Sequence, residues 1–125
     1  MKKPVKSRRR RIGSVRFQVN LEVQFLGLTR EGRELEGIGV VRTLSMRGAL
    51  IETYDLVTMD DQLTLFVTLP NQAGLLELPA IAVRWVVRRH QLGVEFLKLD
   101  TQTSRHLMRY LSGIHNAARA QRKAG

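Results

Sequence analysis

Val15, Phe17, Val19, Leu21, Val23 and Phe25 alternate without a break with Arg16, Gln18, Asn20, Glu22 and Gln24. A period of two sets every apolar side chain on one face of an extended strand and every polar one on the other, which a helix cannot do. Leu63, Leu65, Val67 and Leu69 repeat the alternation, and residues 38–43, 49–52, 76–87 and 93–97 supply further strand-like runs. Turn formers at 29–32, at Asp60 and Asp61, and at 70–74 separate them. The spacing predicts six or seven short strands. No long helical segment lies between them to carry parallel crossovers, so a mainly β, antiparallel barrel or sandwich is expected.

The end of the chain changes period. Leu107, Met108, Leu111 and Ile114 recur at helical intervals behind Asp100, Thr101 and Thr103, which are candidate N-caps. One C-terminal amphipathic α-helix is expected, either closing the open end of a barrel or meeting a partner.

A length of 125 residues with 43% hydrophobic and 26% charged side chains fits one globular domain. Residues 8–114 are read as that domain. Residues 1–7 are read as a flexible basic tail, and 115–125 as a basic tail or helix extension. The N-terminus has charge but no apolar stretch behind it, and no apolar run is long enough to span a bilayer. These features predict no transmembrane segment and a cytoplasmic location.

The formal net charge is +10, which attracts polyanions. It is unevenly placed. Residues 1–16 carry 8 of the 21 basic residues, namely Lys2, Lys3, Lys6, Arg8, Arg9, Arg10, Arg11 and Arg16, and no acidic one. Arg105, Arg109, Arg119, Arg122 and Lys123 form a second basic group near the end.

Catalysis would need a base beside a nucleophile, paired carboxylates or converging metal ligands. The chain has no cysteine, and His90, His106 and His115 are scattered without metal-ligand spacing. Asp60 and Asp61 sit in a turn, where acids are common for local hydrogen-bonding reasons. Neither an enzyme nor a metal site is expected, and binding is the better class.

Two segments then belong together: the arginine cluster ahead of the first strand, and the stretch TLSMRGALIET at 43–53, a polar turn that feeds an apolar strand. Their order resembles the PilZ domain family, whose patterns include an RxxxR element before the first strand and a [D/N]xSxxG element between later strands. Here the second element reads Thr43, Ser45 and Gly48, followed by Ala49, Leu50 and Ile51. Val83 with Trp85, and Gly93, Val94 and Phe96, are similar to the late strands of the family. The resemblance covers roughly residues 8–112. It implies a six- or seven-stranded antiparallel β-barrel with one C-terminal helix, and cyclic di-GMP as ligand.

If the family roles carry over, Arg16 with one or both of Arg10 and Arg11 would clamp the dinucleotide, and Thr43, Ser45 and Gly48 would face a guanine or phosphate. The chain departs from the pattern at two positions. Ile12 stands where an RxxxR ending at Arg16 needs arginine, and Thr43 replaces the acid or amide. The chemistry suits arginine, which forks onto guanine, pairs with phosphate and stacks on a base. Three readings follow: a cyclic di-GMP receptor that alters a surface shown to a protein partner, an adaptor of the same fold that binds no nucleotide, and a basic nucleic-acid-binding barrel. The scarcity of aromatic residues argues against the last, since barrels that bind single strands stack bases on aromatic rings. Oligomeric state is left open, because the terminal helix could pair with its own copy.

Overall fold

The computed structural model describes residues 15–86 and 89–124. Six strands, β1 (Phe17–Leu28), β2 (Glu34–Leu44), β3 (Gly48–Glu52), β4 (Gln62–Thr68), β5 (Leu75–Val86) and β6 (Gln91–Phe96), precede one helix, α1 (Thr101–Ala124). They close into a barrel in the order β1, β2, β3, β6, β5, β4, with every neighbouring pair antiparallel. The expectation of a mainly β antiparallel barrel with a C-terminal helix is met, and the strand count is six. Closure pairs both edges of the sheet, which removes the exposed edge an open sheet of this size would present.

The inward residues of the alternation make the core. Phe25, Leu44, Ile51, Leu65, Leu76, Leu78 and Leu92 are fully buried, joined from the helix by Leu107 and Leu111. Each contributes about 1.5–3 kcal/mol by leaving water. Helix α1 therefore caps the barrel with the stripe its sequence period marks. Its start is fixed by Asp100, whose Oδ1 accepts the Thr103 N–H at 2.7 Å. A second tie is 2.7 Å between His106 Nε2 and the Ala73 carbonyl, which joins the helix to the β4–β5 loop. Past Ile114 the helix continues to Ala124, with residues 115–120 exposed.

Besides a slip of the β1–β2 register between Gln18 and Leu21, two irregularities shape the outer wall. The β2–β3 register slips between Val41 and Thr43, and the β5–β6 register slips between Ala82 and Arg84. Each is a bulge, in which two residues of one strand face one of the next. Between them, Leu50 of β3 pairs with Gly93 of β6. The bulges thus flank the same cross-strand row, which runs Thr43, Leu50, Gly93, Arg84 over four adjacent strands.

Candidate functional site

On this outer wall lies an open groove of about 1370 Å³. Thr43, Ser45 and Gly48 line it, as does Arg16, so four residues singled out from the sequence come together. The register explains Arg16: Phe17 pairs with Leu44, which brings the start of β1 beside Ser45. Arg10 and Arg11 lie outside the described residues.

The turn is built around one hydroxyl. Ser45 Oγ accepts the N–H groups of Arg47 and Gly48 at 3.1 and 3.2 Å and donates to the Gly48 carbonyl at 3.3 Å. The backbone N–H of Ser45 donates to the same carbonyl at 3.0 Å. A hydroxyl has one proton and two lone pairs, so this one is fully used inside the turn. Ser45 shapes the groove rather than offering it a free donor. Gly48 has its own reason: a Cβ there would run into the backbone carbonyl of Val94 on β6. Close approach of two strands, not a left-handed backbone, requires glycine at this position.

Three further cations border the groove, Arg47, Arg84 and Arg89, against one carboxylate, Glu95. Among the described residues the ion pair is Arg42 with Glu52 at 3.1 Å, so the groove arginines keep their charge for a ligand. Arg42 itself is spent: it also donates to Asn20 Oδ1 at 3.2 Å, bracing the bulge of β2 from outside the groove. Sequence reasoning did not single out Arg47, Arg84 or Arg89. Arg47 stood inside the quoted turn, and its charge was the available signal. For Arg84 parity pointed the wrong way: strict alternation from inward-facing Ala82 turns residue 84 inward, and only the bulge reverses it. The bulge makes both Val83 and Arg84 outward and exposed and returns Trp85 to pack on the core.

The apolar part of its lining comes from Leu50 and Gly93, with Ala49, Val94 and Phe96 beside them. The combination of guanidinium groups and apolar lining suits a planar, polyanionic ligand better than a compact anion. Within the described residues no group of three or more His, Cys, Asp or Glu gathers to hold a metal ion. No described helix is long and apolar enough to cross a membrane.

Comparisons with known proteins bear on this arrangement. A family model described as PilZ domain matches residues 6–113. A search of curated proteins returns no match. Among solved structures, the PilZ domain of CeSA from a cellulose-synthesizing bacterium is similar with a TM-score of 0.61 at 19% identity, covering 82% of this chain and 99% of that one. The PilZ domain of YcgR from Escherichia coli, solved with c-di-GMP, gives a TM-score of 0.61 at 17% identity, covering 94% and 98%. MrkH of K. pneumonia gives 0.65 at 13% identity over 92% of this chain and 54% of its own.

Proposed function

The chain belongs to the PilZ domain family, and on that premise we propose that it is a cyclic di-GMP receptor of the adaptor type, binding the dinucleotide in the groove above β3 and β6. The observation that carries the reading is the meeting of Arg16, Thr43, Ser45 and Gly48 in one groove with three added arginines. Two phosphates and two purines ask for donors that fork, pair and stack, and arginine does all three. Arg16 is the clamp residue on the described chain. Arg10 and Arg11, upstream in the sequence, are the candidates for its second arm. Thr43 faces a guanine edge, Ser45 fixes the turn, and Gly48 lets β3 approach β6. The work done is binding and display, with no chemical step, in the cytoplasm.

Calorimetric titration of the full chain with cyclic di-GMP, beside an Arg16→Ala variant and a linear GMP dinucleotide, tests this. Saturable binding that the variant weakens about ten- to hundredfold is expected for loss of a charge-assisted contact. No heat and no shift in melting temperature for the folded parent would overturn the reading.

A second reading, an adaptor that works by protein contact without nucleotide, draws on the opposite wall. There Leu26 and Ile38 are at least half exposed and border a shallow apolar groove with Phe66. In the receptor reading the same wall is what the partner sees.

A further inference from the structure

The chain lacks the second arginine of the clamp spacing, since Ile12 stands four residues before Arg16, yet the barrel wall carries a cation the motif does not include. Arg84 is exposed on β5, turned outward by the bulge, and is the Cα partner of Gly93. Gly93 in turn is the partner of Leu50. Along this row the middle position has no side chain, so Leu50 and Arg84 stand on either side of a gap two strand spacings wide, about 9.5 Å. A planar ring slipped between two groups in van der Waals contact with both faces needs about 7 Å. The gap therefore takes one flat ring with its edge toward the Gly93 backbone. It leaves room for the side chains to settle and is too narrow for two stacked rings.

The two walls of this slot differ in chemistry. Leu50 offers apolar surface and Arg84 a planar cation, and a guanidinium lies flat on a purine more readily than an ammonium does. A Cβ built on Gly93 comes 3.3 Å from the Arg84 Cβ, so even the smallest side chain there begins to close the slot. The backbone of Gly93 is not in the left-handed region, so the gap and not the chain conformation is what the glycine provides.

We propose that Arg84 stacks on one purine of the dinucleotide, held on edge between Arg84 and Leu50 over Gly93, and so supplies from the sheet a guanidinium contact that the arginine motif of this chain lacks. This rests on the receptor reading of the groove and adds the residues that read one base by shape. The slot favours a single extended purine ring system and gives no reason to prefer guanine over adenine; that choice falls to Thr43 and its neighbours.

The test is calorimetric titration of the full chain with cyclic di-GMP for the parent, Arg84→Ala, Arg84→Lys, Gly93→Val and Arg30→Ala. Arg30 lies exposed in the β1–β2 turn and controls for loss of one positive charge. Arg84→Ala is expected to weaken binding about three- to thirtyfold with an unchanged melting temperature. Arg84→Lys should recover little of that loss, Gly93→Val should weaken binding at least as much, and Arg30→Ala should stay within about twofold of the parent. Binding by Arg84→Ala equal to that of Arg30→Ala, in a parent that does bind, would overturn the assignment of Arg84 alone. Absence of binding by the folded parent would instead overturn the receptor reading and this one with it. Arg84 is exposed, so its variants report on the ligand even if Gly93→Val fails to fold.

Discussion

Ser45 holds Gly48 from both sides, its Oγ accepting the Gly48 N–H at 3.2 Å and donating to the Gly48 carbonyl at 3.3 Å. With the Arg47 N–H as a further donor, one side chain that is 8% exposed organises the whole turn between β2 and β3. This answers what a polar turn is doing ahead of an apolar strand: it sets the angle at which β3 leaves for the groove and presents Arg47 at the rim.

Ser45→Ala removes that hub and strands two backbone donors in a part-buried site. The expected cost is about 1–3 kcal/mol, the penalty for leaving buried polar groups unmet. Urea unfolding should show a lower midpoint at unchanged slope. Ligand affinity should fall too, although the hydroxyl has no hydrogen-bonding capacity left over for the ligand. A variant as stable as the parent would show that water replaces the hydroxyl at no cost.

Gly48 and Gly93 both lie in strands of the groove and should respond differently to alanine. At Gly48 the new Cβ meets the Val94 backbone carbonyl, which cannot move without parting β3 from β6. At Gly93 it meets the Cβ of exposed Arg84 at 3.3 Å, where a few tenths of an ångström suffice. Gly48→Ala should therefore destabilise by about 1–3 kcal/mol as an overpacked core does, and Gly93→Ala by clearly less. Melting temperatures of the two variants side by side decide it, and equal losses would contradict the packing argument.

Most of the fold was legible because hydrophobic alternation reports facing directly. Phe25, Leu65 and Val67 could be assigned to the core from residue parity, and Leu107 and Leu111 from helical spacing. The turn at Ser45 and Gly48 was legible from its residue types. What parity cannot show is a bulge, since one extra residue reverses the facing of everything after it. Both groove walls are made at bulges, which is why Arg84 was missed and why Arg42, three residues before Ser45, braces Asn20 and Glu52 outside the groove. Nor could the sequence tell that the Ser45 hydroxyl is consumed by its own turn. That depends on distances, and residue types fix only the capacity.

The start of α1 carries a pH dependence. The Thr103 N–H, and then the Thr103 hydroxyl, hold the Asp100 carboxyl below its ordinary value, with burial opposing weakly. A carboxylate whose folded pKa is depressed stabilises the fold fully above its unfolded value, near 4, and loses that contribution as pH falls through the lower folded value. Asp100→Ala should thus lower the melting temperature at neutral pH, and the gap to the parent should narrow in acid below about pH 4. Asp100→Asn, which still caps, should lie between the two. A gap that persists unchanged at low pH would assign the effect to something other than the ionised cap.

Thr43 is the position where a single substitution should strengthen the site. It lines the groove on the β2 wall, paired with Gln18 on one side and Leu50 on the other, with Arg16 beside the following turn. A hydroxyl offers guanine one short contact, whereas a carboxylate accepts from both the ring N1–H and the exocyclic amine, a difference of about 1–3 kcal/mol. Thr43→Asp should then bind cyclic di-GMP about ten- to hundredfold more tightly. Its costs are small by comparison: loss of a β-branched residue from a strand amounts to less than about 1 kcal/mol, and four nearby arginines outweigh the charge of Glu95. Cyclic di-AMP separates the explanations, because adenine has a bare N1 acceptor and no amine at C2, so the paired donors that a carboxylate would bridge on guanine are missing. Tighter binding of the guanine ligand alone would place residue 43 at the base edge, and an equal gain for both ligands would mean that the new charge only orders the arginines around it.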